Sequence, residues 1–570
     1  MYQKFENALL NVLQSSSKKR MILLMTFLGF ILSVAMIPTE LVMAKMLPGK
    51  NNDTYSVYID LPTGSSIEQT RSVSECVTTI LQKESEALDM EVFLGMGSPL
   101  DFAGLIKGSH FKNSENVAEV VVNLTKKHNR AEPSYMMVQR LRPVIQKQCE
   151  SIIPQSSIKF VEPPAGPPTM AAIVAEIYGD NTSGIRHLSE RVKGVFSQTK
   201  GLVDIDIMQD DIYNKFEVRV NSDKISRAGL DIKHVNDILY LAFEGMNIAV
   251  KNSREASEQI PIFLVLDPAG KKFSSKDLNA IEMKLMSLKL MNSMGMMVPL
   301  TEVVSVVPVK SNPMIVTKNL HQMTNVLAET DMVSQVYPLM DARNTILDTF
   351  TNEYEINKIG LFNLELIDKK SHARYELLWD GEMEVTLDTF VDLGGAFIAA
   401  LILIFLLMVI YYKSFVLSGI VLLGSFLSII GVLVGHFIMN IFTADTFFLT
   451  ATSLIGFIAL IGISSRNSLL LIDFTKSLMQ DKGMHKKEAI AYAAATRAKP
   501  IFLTAAAIIL ASTLLASDAV FGGLGVALIF GTIAAVAASL IVVPILLDNS
   551  ELERHFNFHE RRIVSVMDPL

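Results

Sequence analysis

The sequence predicts an α+β membrane protein with six transmembrane helices, one followed by five. Between the first and second lies a large outside region of two ferredoxin-like βαββαβ units carrying an insert. Three observations lead there. Hydrophobic residues make up 50% of the chain and charged ones 19%, with a mean hydropathy of +0.35, more apolar than soluble chains run. The excess is concentrated in six apolar stretches of roughly 18 or more residues, the length that carries a helix across a bilayer. The mixed sequence between the first two stretches alternates strand and helix periodicities in the same order twice.

Composition also excludes function classes. With 51 Lys+Arg against 58 Asp+Glu the net charge is -7, so the chain offers no basic surface for a nucleic-acid backbone, and no nucleic-acid partner is expected. Two cysteines supply neither a disulfide framework nor a zinc spacing.

Taken in order, residues 1–20 form an amphipathic segment ending in Lys18, Lys19 and Arg20. The apolar run 21–43 follows, within a helix expected over 21–44. A signal peptide is the plain alternative, but the run is too long and lacks a small-residue cleavage site. The first unit covers 45–165: a strand at 53–61, a helix at 67–87, strands at 91–97 and 116–124, a helix at 135–149 and a strand at 157–162. The second unit opens over 166–215 with a strand at 171–179, a helix at 185–198 and a strand at 202–209. It resumes over 332–388 with a helix at 335–353 and strands near 360–367 and 373–379. The insert spans 216–331 and holds strands at 260–267 and 296–309. A structureless loop of that length would be unusual, so it is expected to be a subdomain whose role is docking. Five spans fill 389–548, near 390–412, 414–438, 448–474, 500–517 and 519–547, and a tail covers 549–570.

Basic residues keep short loops on the cytoplasmic side. Lys18, Lys19 and Arg20 place the N-terminus inside, as Lys413 does the turn after the second span. Lys476, Lys482, Lys486, Lys487, Arg497 and Lys499 do the same between the fourth and fifth. The loops 441–448 and 517–523 carry no Lys or Arg, so they and residues 45–388 belong outside.

Three clusters invite a metal or redox reading, and each has a plainer one. Six of the 29 methionines fall in 282–297, and thioethers favour Cu(I), yet Met also fills irregular cores and adaptable interfaces, the reading preferred here. Cys76 and Cys149 sit on two helices that pack on one sheet face, so geometry permits a bridge, but no spacing rule requires it and separate thiols are expected. His555 and His559 share a helix face without a second ligand pair and are expected as solvated surface.

The residues that carry chemistry lie in the fourth span. Arg466 falls about eight residues, roughly 12 Å, from its inner end, near the midplane, where Arg costs about 2.5 to 3.5 kcal/mol on insertion scales. It needs an acidic partner or a watery cavity. Asp473 shares its face but lies close to the inner boundary, where water or Lys476 would meet it, and no other span holds a central carboxylate. Arg466 is therefore an unmatched cation that calls for a partner outside the chain, unless it snorkels inward. Ser464, Ser465, Asn467 and Ser468 surround it, Thr504 stands on the next span, and Gly456 and Gly462 permit close helix approach. No phosphate-cradling G-x-x-x-x-G-K-[ST], no G-x-S-x-G elbow and no H-E-x-x-H occurs, which points to an ion gradient for energy and to a non-enzyme.

Several stretches resemble the resistance-nodulation-division (RND) efflux permeases along essentially the whole chain: YIDLPTGSSIEQT (58–70), PPAGPPTMAAIVAEIYG (163–179), LLWDGEMEVTLDTF (377–390), GISSRNSLLLIDFTKSLM (462–479) and RAKPIFLTAAAIILAS (497–512). Full-length members contain two such halves, and this sequence resembles the second. The resemblance implies periplasmic porter units, a docking-type insert and an inner-membrane location. It also implies a proton-driven exporter of amphiphilic compounds that works with a periplasmic adaptor and an outer-membrane exit duct, without cofactor or bound metal. The central basic residue of this span pairs in the family with acidic residues of the first half, which implies a proton relay of Arg466, Asn467, Ser465, Asp473, Lys499 and Thr504. The acidic partners would come from an N-terminal-half chain in a trimer of heterodimers. Arg466 stands where many drug exporters have Lys, and Lys499 where they have Arg. Heavy-metal members tend to carry an acidic residue in this span, which weighs against metal as cargo. Open alternatives are a half-size pump acting as a homo-oligomer, heavy-metal efflux, a protein-export or lipid-trafficking component, and a membrane-anchored sensor.

Overall fold

The computed structural model describes residues 2–49, 51–164, 166–254, 256–267, 278–331, 333–443 and 446–550. His555 and His559 thus lie outside the described residues. The chain forms two compact units, Met1–Met208 with Val316–Leu570, and Gln209–Ile315.

In the first unit, strand Thr54–Asp60 turns Tyr55, Val57 and Ile59 into a core, as its alternation demands. Helix Ile67–Leu81 opens on a capping box, Ser66 Oγ accepting from Gln69 N–H while Gln69 Oε1 accepts from Ser66 N–H. It stops at Leu81 rather than 87, because strand Ala87–Met96 begins there to pair with Asn113–Leu124. With Ser157–Val161 these strands make an antiparallel sheet in the order Ala87–Met96, Asn113–Leu124, Thr54–Asp60, Ser157–Val161. Helices Ile67–Leu81 and Ser134–Cys149 share one core with it, through Val73, Val77, Met137 and Ile145. The separate thiols expected at Cys76 and Cys149 are instead a disulfide, with Cα atoms 5.7 Å apart. The cause is the packing of both helices against one sheet, which brings the buried C-terminal residue of the second beside the middle of the first.

A second sheet has seven strands, in the order Val316–Lys318, His321–Thr330, Ile173–Gly179, Arg374–Asp380, Asn363–Asp368, Tyr354–Ile359, with Leu202–Ile207 also paired to His321–Thr330. Helices Thr182–Gln198 and Val336–Phe350 contribute Leu188, Val192, Leu339 and Ile346 to its core. Strand His321–Thr330 falls inside the 216–331 stretch that the sequence assigns to the insert. Its centre buries Thr324 and Asn325, and these polar residues hide the apolar signature of a central strand. The compact second unit is accordingly Gln209–Ile315. It pairs Asn214–Val220 with Val304–Lys310 and adds the hairpins Met246–Lys251/Ile260–Leu264 and Lys289–Met291/Met297–Pro299. Its core gathers Val235, Ile281, Leu285 and Leu300.

Among the described residues, five helices are long and apolar enough to cross a membrane: Glu382–Tyr412, Phe415–Phe442, Ala451–Asp481, Lys486–Ala516 and Gly522–Asn549. Phe415–Phe442 is two helices meeting at Leu427. The N-terminal helix Ser16–Ala35 includes Lys18, Lys19 and Arg20 and ends ahead of Pro38, so the expected run to 43 is helical only as far as Ala35. Lys19 forms an ion pair of 2.7 Å with Asp548 of the last helix. Helix Tyr2–Gln14 buries Leu9 and Leu13 in a cluster with Leu478 and Ile490. Helix contacts are close where the sequence supplies glycine: a Cβ on Gly431 would stand 2.3 Å from the Phe530 carbonyl oxygen, and one on Gly456 2.7 Å from Ala527 Cβ.

Candidate functional site

Helix Ala451–Asp481 carries the candidate residues, and a second capping box, Thr450 with Ser453, fixes its outer end. Its inward face is Phe457, Leu460, Ile461, Ser464, Asn467, Ser468 and Leu471. The opposite stripe, Ile455, Ala459, Gly462, Arg466 and Leu470, is exposed. A Cβ on Gly462 would meet nothing within 4 Å, so this glycine serves no helix contact among the described residues, unlike Gly456.

The structure therefore separates the six relay candidates. Arg466 makes no hydrogen bond or ion pair with any described residue. Ser465 lies inside the bundle, donating to the Ile461 carbonyl at 2.6 Å and meeting Ser425 Oγ at 3.0 Å. Asn467 is buried beside it, and the Ser464 and Ser468 hydroxyls are buried with no hydrogen-bond partner among the described residues. Asp473 accepts from the Tyr411 hydroxyl at 3.1 Å, a partner absent from the sequence reading, which looked to water or Lys476. Lys499 and Thr504 are exposed on helix Lys486–Ala516, and Thr504 spends its hydroxyl on the Pro500 and Ile501 carbonyls of its own helix.

His436 was not singled out by sequence reasoning. It is fully buried in the membrane helices, with Nδ1 2.8 Å from the Val432 carbonyl oxygen and Nε2 2.9 Å from Ser453 Oγ. A carbonyl only accepts, so Nδ1 carries a proton, and in the neutral imidazole Nε2 accepts from the Ser453 hydroxyl. His436 thereby braces the capping box at the start of the Arg466 helix. A lone histidine in an apolar run gives no spacing signal, and a search for carboxylates passes over it.

Outside the membrane helices, two ion clusters join the two sheets. Lys159 bonds Asp206 and, at 3.1 Å, Asp60, which also pairs with Lys112. Burial works to raise the Asp60 carboxyl, but Lys159 and Lys112 beside it hold it below the usual range. Arg142 reaches Asp204 and Asp331, each at 3.2 Å. Nearby, a cavity of about 190 Å³ is lined by Lys45, Lys107, Phe160, Glu162, Glu329 and Phe448 among others. Glu162 Oε1 is buried there without a hydrogen-bond partner among the described residues, and burial pushes its carboxyl up to about 7 against the pull of Ser134, Arg142 and Lys45. Among the described residues no group of His, Cys, Asp and Glu is arranged to hold a metal ion.

Comparison with known proteins matches residues 1–547 to the profile described as the AcrB/AcrD/AcrF family. The swarming motility protein SwrC of Bacillus subtilis (strain 168) is 24% identical over 380 residues, covering 65% of this chain and 32% of that protein. The multidrug resistance protein MdtC of Erwinia tasmaniensis is 22% identical over 378 residues, covering 65% and 33%. Protein HelA of Legionella pneumophila is 23% identical over 402 residues, covering 68% and 35%. A crystal structure of a heavy metal efflux pump superposes with a TM-score of 0.71 at 18% identity, over 95% of this chain and 51% of that one. This chain thus spans 32% to 35% of the length of these three relatives and 51% of that solved structure.

Proposed function

We propose, since the chain belongs to the AcrB/AcrD/AcrF family, that it is the C-terminal-half component of a proton-driven RND permease that exports amphiphilic compounds. Family membership supports an efflux transporter rather than an enzyme. The finer reading rests on one observation: Arg466 stands on an outward stripe of a membrane helix with no counter-ion among the described residues. An arginine stays protonated at any working pH, so it can organise a proton relay but cannot be the group that loads and unloads. The carboxylates that do so are assigned to an N-terminal-half chain packed on that stripe, with Ser465 and Asn467 behind Arg466. Asp473, Lys499 and Thr504 are assigned to the relay's inner approach.

The order of the four-stranded sheet with both helices on one face supports ferredoxin-like porter units. Helix Ser16–Ala35, apolar from Met21 onward, is the candidate for a sixth span. The Cys76–Cys149 bridge supports a periplasmic setting for the porter region, because such bonds persist in oxidising compartments. The whole assembly is then an inner-membrane trimer of heterodimers with a periplasmic adaptor and an outer-membrane duct, and Gln209–Ile315 is its docking unit. The test is proton-gradient-driven dye transport in liposomes. This chain alone should stay at background, and adding a chain of the same plan with acidic residues in its fourth span should restore transport. Robust, protonophore-sensitive transport by this chain alone would instead establish the homo-oligomeric half-size pump.

A further inference from the structure

The unit Gln209–Ile315 carries a chemistry independent of the membrane helices. In the hairpin Lys289–Met291/Met297–Pro299, Leu290 stands opposite Val298 and Met291 opposite Met297. Successive strand residues face opposite sides. Leu290 and Val298 pack against the unit's core, which turns Met291 and Met297 outward. The connecting turn adds Met294 and Met296, so four thioethers fall on seven consecutive residues. Their exposures are 69% for Met291, 69% for Met294, 56% for Met296 and 58% for Met297.

This display is built on a fixed backbone. The Asn292 side chain is buried, and its Oδ1 accepts the N–H groups of Met294 at 3.0 Å and Met296 at 2.9 Å. Its Nδ2 donates to the Ala228 carbonyl at 2.9 Å, and Ser293 N–H donates to the Gly229 carbonyl at 3.1 Å, which anchors the turn to the body of the unit. Gly295 takes a φ of 80°, a conformation that costs glycine little. A turn pinned at both N–H groups flanking Gly295 holds the methionine backbones in place while their side chains stay in water.

The donor set selects a ligand class. From 289 to 299 the one charged side chain is Lys289, so nothing in the hairpin serves a hard, carboxylate-seeking cation. Neutral thioethers suit soft monovalent ions. Opposite residues of an antiparallel pair hold their Cβ atoms about 5 Å apart, and the methionine side chain has three rotatable bonds with which to bring its sulfur inward. We propose that this hairpin binds one soft monovalent metal ion of the Cu(I)/Ag(I) class through Met291 and Met297, with Met294 and Met296 completing the site. The site stands whether or not the permease exports amphiphiles, and binding needs no redox step.

The experiment is a titration of the full chain, labelled with [13C]methyl-methionine in detergent, using Ag(I) as a redox-inert probe in chloride-free buffer. Single Met→Leu variants assign the four hairpin methyls. These should shift together and saturate at one ion, and M291L/M297L should weaken that event by about tenfold or more, while M283L/M286L on the preceding helix should leave it unchanged. Leucine keeps size and apolarity, and the remaining methionine methyls report that each variant is folded. Hairpin methyls that ignore Ag(I), or a double variant that binds within about twofold of the parent, would overturn the site and leave an apolar contact surface.

Discussion

Replacing Cys76 and Cys149 together by alanine removes a cross-link between residues separated by 73 positions. In the chain-entropy account, closing a loop of that length takes about 15 cal/mol/K from the unfolded ensemble, or about 4 kcal/mol at 25 °C. Alanine is preferred to serine because position 149 is fully buried and a hydroxyl there would add its own desolvation cost. Helix Ser134–Cys149 retains Met137, Leu141 and Ile145 in the core, so the unit should still fold but open far more often. Hydrogen exchange read by mass spectrometry on the full chain resolves this, because protection in the core reports opening free energy. Peptides covering 67–81 and 134–149 should lose about three orders of magnitude of protection, while 182–198 in the second sheet's core should keep its own. Mild reduction of the native chain should reproduce the pattern. Unchanged protection at 67–81 and 134–149 would refute the reasoning, since the bridge would then constrain nothing that the packed helices do not already fix.

Arg466→Ala should reduce gradient-driven export to background in the assembled pump. The same variant should not destabilise the chain by more than about 0.5 kcal/mol, because Arg466 forms no hydrogen bond or ion pair with any described residue; wild-type export would show that the arginine only snorkels. Glu162 titrates ordinarily at 4.5 and here at about 7 through burial, so the folded state favours its neutral form. That stability is fully present below pH 4.5 and is lost as pH rises through 7, at a cost of up to about 3 kcal/mol. Glu162→Gln should therefore unfold at higher temperature than the parent at pH 8 and at the same temperature at pH 4.5; equal curves at pH 8 would count against it. Cysteines placed at Ser114 and His485 should react with an impermeant maleimide from opposite sides of the membrane, and labelling from one side would sink the six-span map.

Much of the architecture was legible because it follows from a single variable along the chain. The last five apolar stretches each coincide with a membrane-length helix, since hydropathy over about 20 residues outweighs any local preference. Periodicity likewise places the strands Thr54–Asp60, Asn113–Leu124 and Ile173–Gly179 and the helices Ile67–Leu81 and Ser134–Cys149. What escaped depends on contacts distant in sequence. Helical spacing continues past Leu81, but strand pairing with Asn113–Leu124 claims residues from Ala87 onward. His321–Thr330 is a central strand whose middle is polar, and only its two neighbours reveal it. The disulfide depends on where two helices end on a shared sheet. His436 depends on a hydroxyl 17 residues away.

Glycine use within the Arg466 helix bears on whether its exposed stripe is a finished surface. Inward, Gly456 lets Ala527 approach to 2.7 Å of where a Cβ would stand, so a missing side chain there is repaid by a close helix contact. Outward, Gly462 has nothing within 4 Å, yet it shares its stripe with Ala459 and Arg466. Glycine in a helix interior costs about 1 kcal/mol relative to alanine, and an unpaired arginine near the midplane about 2.5 to 3.5 kcal/mol more. Lipid compensates neither, since chains gain nothing from a groove and cannot bond a guanidinium. A second helix compensates both: the small residues admit its backbone, and a carboxylate on it reaches Arg466 where little water competes. The same pair of features that destabilises this helix alone is thus what a partner helix bearing an acid would require.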